Sequence, residues 1–300
     1  MKESRTLFLM QALVATFLWS ASKIILKLGL GLLSPWLLIG CIQAVAFLGL
    51  LIYSRFYPIK LKQQLKSSEI YALVLLSMMG FVVAPVFSVI GLKYVTGLTA
   101  GLVAGLGSVL VVLLGWWILR ERPRQWQAFG ILLAVLGAYV FLGDGQFTGS
   151  LLGVFMLVLS EFAYAFNIVL TRLLMRQPGD QSLLVALIGS FMGAAILLPV
   201  GWLTGSSVAL GYWQTWLVIG SVGLIFAFAG LLWNYSLNYL LSFEASVLQN
   251  TMLIQVGLLS WIFLRETIVW YHWLGAIIVL MGVYLVNRQL LNQRYASSRT

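Results

Sequence analysis

Residues 116–140 read WWILRERPRQWQAFGILLAVLGAYV, and residues 261–285 read WIFLRETIVWYHWLGAIIVLMGVYL. Trp116 matches Trp261, Arg120 and Glu121 match Arg265 and Glu266, Gly130 matches Gly275, Gly137 matches Gly282, and Tyr139 matches Tyr284. Each pair is 145 positions apart (265 − 120), close to half of the 300-residue chain. A repeat with no slippage constrains the architecture before any motif is weighed.

Composition settles the solvent. The chain is 61% hydrophobic and 9% charged, with a mean hydropathy of +1.00. Soluble domains carry roughly 25% charged residues, so this surface belongs in lipid. Hydropathy places spanning helices at about 7–28, 35–54, 69–90, 96–119, 126–143, 150–173, 183–203, 213–236, 244–264 and 269–287. The first is read as a retained helix, because it is longer than a signal-peptide core and has a counterpart one repeat later. The fold expected is an all-α integral membrane protein of about ten transmembrane helices. It comprises a five-helix repeat over 7–143, a second over 150–287, and a polar cytoplasmic tail over 288–300.

The net charge of +10 does not indicate nucleic acid, because the bases sit in short runs between apolar segments. With the N-terminus inside, all basic residues except Lys23, Lys27, Lys93 and Arg265 fall on the inner side. The positive-inside rule then makes both termini cytoplasmic, with the plasma (inner) membrane as the expected location. Five helices per unit is an odd number, so the second unit enters from the opposite side and the repeats are inverted. Cys41 and His272 are the sole residues of their types. No metal site, cofactor or enzymatic cluster is expected, and no Walker-type phosphate loop is present.

These features resemble the EamA family of the drug/metabolite transporter superfamily. In that family the first helix of a unit carries an aromatic, then small or polar residues, then a base. The counterparts here are Trp19, Ser20, Ser22 and Lys27, and in the second unit Tyr164, Ala165, Asn167 and Arg172. The fourth helix of the family ends in Leu-Gly-Glu before a glycine-bearing fifth helix. Arginine replaces that glycine in both units, giving Leu119-Arg120-Glu121 and Leu264-Arg265-Glu266. The family's fourth-helix proline is Ser108 in one unit and Leu253 in the other, and its second-helix arginine is Gln43. The resemblance implies a secondary transporter that moves a small organic metabolite, amino acids and related solutes among the candidates, commonly outward. Phosphate-sugar or nucleotide-sugar exchange and a non-transporting scaffold or sensor are the alternatives.

Glu161 is the first candidate for mechanism. A carboxylate in the apolar context LVLSEFAYAF is costly at membrane depth and faces a cavity or a partner. Tyr164 and Asn167 share its side of the helix. The readings are proton coupling, a substrate-amine contact, or a structural partner for a base. Lys23 shares a face with Trp19 and Ser22; it meets a substrate carboxylate, pairs with Glu161, or snorkels outward. Thr251 and Gln255 line a cavity or join helices. Asn234 is a candidate substrate contact within LLWNYSLNYLLS, where Trp233, Tyr235 and Tyr239 read as interfacial aromatics. Gly97, Gly101 and Gly105 form a packing ladder. Arg120-Glu121 and Arg265-Glu266 fall on opposite faces and read as structural turn marks. The expected partners are a small-molecule substrate, with protons as a coupling option, and the lipid bilayer.

Overall fold

The computed structural model describes residues 5–29, 34–57, 67–92, 94–95, 103, 107–141, 150–176, 181–204, 211–264 and 269–297. In the first half, α1 is Arg5–Gly29, α2 is Pro35–Phe56, and α3 (Ser67–Ser77) runs through a π-helical turn at Met78–Val83 into α4 (Ala84–Leu92). α5 (Gly107–Leu119) and α6 (Gln125–Phe141) complete that half. In the second half, α7 is Leu151–Met175, α8 is Ser182–Thr204, and α9 is Trp213–Ser236. α10 (Ser242–Gln249) and α11 (Thr251–Leu264) form one broken rod, and α12 is Trp270–Ser297. Six of these rods are long and apolar enough to cross a bilayer, and four shorter apolar helices accompany them among the described residues. Large apolar side chains such as Trp117, Leu151, Leu203 and Trp270 lie on the outside, as lipid solvent allows.

The repeat is visible in the packing. α1 lies against α9 and α11, while its mate α7 lies against α3–α4 and α5. Two large contacts join mates, α2 with α8 and α6 with α12, and α2 also packs on α9 as its mate α8 packs on α3 and the π turn. Glycines set how closely these mates approach. A Cβ on Gly130 would lie 2.9 Å from Gly282 O, and one on Gly137 would lie 2.9 Å from Gly275 O. One number rises as the other falls, so α6 and α12 run antiparallel. α2 and α8 behave likewise, since Gly40 meets Leu198 and Gly201 meets Leu37. Mates that run antiparallel are inverted copies, and small residues are what allow such close crossings.

Capping repeats with the same offset. The Arg124 N–H donates to Gln127 Oε1 at 2.9 Å, and the Val269 N–H donates to His272 Nδ1 at 3.0 Å. Arg124 and Val269 are mates, as are Gln127 and His272, so each fifth helix opens on a residue three positions along that reaches back. His272 therefore closes its own helix start.

Three local features depart from the sequence expectation. The third rod contains the π turn, bracketed by donors from α7: Asn167 Nδ2 donates to Leu76 O at 2.8 Å and Ser160 Oγ to Ala84 O at 2.8 Å. A widened turn leaves carbonyls outside the regular ladder, and side chains of a neighbouring helix can satisfy them. The ninth rod, expected as one helix over 244–264, breaks at Asn250. The last helix continues to Ser297 instead of stopping at 287. Its Arg, Gln, Leu and Asn residues tolerate a helix that leaves the bilayer.

Candidate functional site

Two polar groups of residues sit at mid-depth between the halves. Glu161 is the eleventh residue of the 25-residue helix α7, so at ~1.5 Å rise per residue it is ~15 Å from one end and ~21 Å from the other. Its carboxylate packs on the start of α5, where a Cβ on Gly107 would be 2.6 Å from Glu161 Oε2. The next residue, Ser108, reaches the break in the ninth rod and donates to Asn250 Oδ1 at 3.1 Å and Ser246 O at 3.2 Å. Asn250 is 6% exposed, and its Nδ2 has no hydrogen-bond partner. An unmade bond on a buried amide is costly, and a polar guest is one way to meet it.

The second group is the inverted counterpart of the first. Thr16 is the mate of Glu161 (161 − 145). Gln255 on α11 accepts from Ser20 Oγ at 3.0 Å and donates to Thr16 Oγ1 at 3.2 Å and Thr251 Oγ1 at 3.4 Å. The hydroxyls also bond carbonyls one turn back: Thr16 to Leu13 O, Ser20 to Thr16 O and, across the break at Asn250, Thr251 to Leu248 O. Around Thr16 there is thus a saturated hydroxyl–amide network where its mate position carries a carboxylate.

One face of the bundle is tied by Glu121. Its Oε1 accepts from Arg176 Nη2 at 2.7 Å and Arg172 Nε at 3.4 Å, and its Oε2 accepts from Ser242 N at 2.9 Å and Ser242 Oγ at 2.6 Å. Arg172 also donates to Leu237 O, and Arg176 to Leu119 O. A single carboxylate therefore joins the α5–α6 turn to the end of α7 and the start of α10. Gly115 makes the approach possible, because a Cβ there would be 2.6 Å from Ser242 Oγ. The preceding residue, Arg120, has φ +56°. This left-handed geometry explains why the resembling family has glycine there, since a side chain in it costs roughly 1–2 kcal/mol.

The structure distributes the remaining sequence candidates as follows. Trp19 tilts against Trp233, with ring centroids 5.4 Å apart. Ser22 is buried and donates to Trp19 O at 2.7 Å within its own helix. Tyr164 is 37% exposed and lies within electrostatic reach of Glu161, one turn away on α7. Asn167 serves the π turn, and Asn234 donates to Ser182 O at 3.4 Å where α8 begins. The side chains of Lys23 and Lys27 lie outside the described residues, as do Gly97, Gly101, Gly105, Arg265 and Glu266. Among the described residues no three of His, Cys, Asp and Glu gather as metal ligands would. Thr16 and Asn250 were not among the sequence candidates, and Ser20 and Ser108 entered only as positions of the family pattern. The offset would have found Thr16, because it stands one repeat before Glu161.

The model of the EamA-like transporter family matches residues 6–143 and again 151–288. The chain belongs to the EamA-like transporter family. It is an integral membrane transporter of the drug/metabolite type rather than an enzyme. Within the family it is similar to two Bacillus subtilis (strain 168) proteins named as uncharacterized transporters. It is 22% identical to YcxC, covering 96% of this chain and 95% of that one, and 22% identical to YetK, covering 74% and 69%. An uncharacterized transporter of Methanothermobacter thermautotrophicus is 26% identical over 49% of this chain, a match that spans 44% of the archaeal protein. A solved crystal structure superposes with a TM-score of 0.77 at 19% identity, covering 95% of this chain and 99% of that one. At that identity the likeness concerns the fold.

Proposed function

We propose that this transporter is secondary. It moves a small organic metabolite, such as an amino acid or related solute, outward across the plasma (inner) membrane by alternating access. Both termini are cytoplasmic in this reading. The observation that carries it is the antiparallel packing of mates around two non-identical polar groups at mid-depth. If one unit can close one face, its inverted copy can close the other around a fixed site.

Glu161 is the residue on which the mechanism turns. In this reading its carboxylate takes a proton or an ammonium group, and the Asn250 amide offers a hydrogen bond to an oxygen of the same solute. The Gln255 network is saturated and positions α1 against α11. Phosphate-sugar exchange would need buried bases free to bind the phosphate. Among the described residues the buried base Arg172 is committed to Glu121 and Leu237 O, which disfavours that reading.

Purified protein in proteoliposomes, given a panel of solutes with and without an imposed pH gradient, tests the proposal. We expect gradient-sensitive flux for at least one organic solute. Glu161→Gln should fold normally and flatten the dependence of that flux on pH. A well-folded variant with an unchanged pH profile would remove Glu161 from coupling. Silence across the whole panel would count against transport of this class.

A further inference from the structure

We propose that the α5–α6 turn holds one anionic phospholipid headgroup, bound through its phosphodiester. The site is a cleft of about 520 Å³ lined by Leu113, Trp116, Trp117, Arg120 and Arg122. Both tryptophans are exposed, Trp117 to 77%, on a protein whose outside is lipid. Indole rings collect at the headgroup level of a bilayer. Both arginines are exposed, and among the described residues neither guanidinium has a hydrogen-bond or ion-pair partner. Two unpaired guanidiniums beside apolar ring faces complement a phosphodiester with its acyl chains.

Backbone strain supplies the second, independent argument. Arg120 occupies a left-handed conformation that glycine adopts without penalty. The contacts that tie the face together use Glu121 and the Leu119 and Leu237 carbonyls and none uses the Arg120 side chain, so the turn itself would be better served by glycine. A strained non-glycine residue persists where its side chain has a use, and the use available to this one is the cleft. The mirrored turn differs in sequence: Ile262 stands opposite Trp117 and Thr267 opposite Arg122. The proposal therefore assigns one tight lipid per chain.

Native mass spectrometry of the full chain tests this, with phosphatidylglycerol or phosphatidylcholine of the same acyl chains titrated into the detergent. Inorganic phosphate is added in a separate arm. One phosphatidylglycerol should remain bound, with at least about tenfold preference over phosphatidylcholine, and phosphate should not displace it. Arg120→Gly/Arg122→Gln should weaken that binding by at least about tenfold. Arg120→Gly alone should weaken it while raising the unfolding temperature, which a purely structural arginine would not do. Trp117→Leu gives a second variant that leaves the turn intact and should also lower occupancy, whereas Arg55→Gln should not. Equal binding of the two lipids, displacement by phosphate, or full retention by the double variant would each overturn the proposal.

Discussion

Glu121 shows how much one buried side chain can hold together. Its side chain is 4% exposed, and its two oxygens accept from Arg172, Arg176 and the Ser242 N–H and hydroxyl. The two arginines differ in setting. The Arg172 side chain is 10% exposed and that of Arg176 is 36% exposed. Removing one partner of a buried pair leaves a charge uncompensated, at about 3–5 kcal/mol, whereas an exposed pair contributes about 0–1 kcal/mol. Glu121→Ala should therefore lower the unfolding temperature in detergent far more than Arg176→Gln does. Equal losses would put the energy in the exposed pair and refute this division. The sequence made the Arg-Glu pair visible by repetition. It did not reveal the partners, because Arg172 and Ser242 come within reach only through the packing of α5 on α7 and α10.

At the scale of elements, most helices were legible because hydropathy runs and the repeat agree on where they lie. The π turn was not legible. Gly80 within Met78–Val83 and Pro85 just after it mark a weak point in the helix, yet neither specifies a π turn, whose support comes from Ser160 and Asn167 on α7. The repeat explains why only one half has it: their mates in α1 are Ala15 and Ser22, and Ser22 bonds within its own helix. Nor was the break at Asn250 legible, since Ser108 meets it from 142 positions away. Helix crossings make a sharper prediction. A Cβ on Gly275 would collide with the Phe141 backbone, and one on Gly137 would lie 2.5 Å from Val279 N. Neither neighbour is a flexible tip, so Gly275→Ala and Gly137→Ala should each cost roughly 1–3 kcal/mol. Gly230→Ala on α9 meets nothing within 4 Å and should gain roughly 0.5–1 kcal/mol from helix propensity. Thermal unfolding of the three variants in one detergent checks the order. A Gly275→Ala protein as stable as Gly230→Ala would mean that α6 and α12 do not cross as described.

At the scale of the molecule, the inverted repeat supplies two copies of one plan whose chemistry has diverged. Glu161 presents a carboxyl group where Thr16 offers a hydroxyl, so the pseudo-two-fold relates positions and not side-chain chemistry. A transporter that must hold one solute and two closed faces benefits from that separation: the frame stays symmetric while the site does not. The frame can be tested without knowing the solute. Arg124 and Val269 are mates, both exposed, and each opens a fifth helix through the same backward hydrogen bond. If α6 and α12 run antiparallel across a bilayer, these two positions lie on opposite sides of it. In a Cys41→Ser background, Arg124→Cys and Val269→Cys each present one thiol. With cytoplasmic termini, a membrane-impermeant maleimide should label Val269→Cys in intact cells and Arg124→Cys only after permeabilisation. The reverse pattern would keep the inversion and flip the orientation. Labelling of both from one side would break the inversion itself, and with it the argument that one unit can close what the other opens.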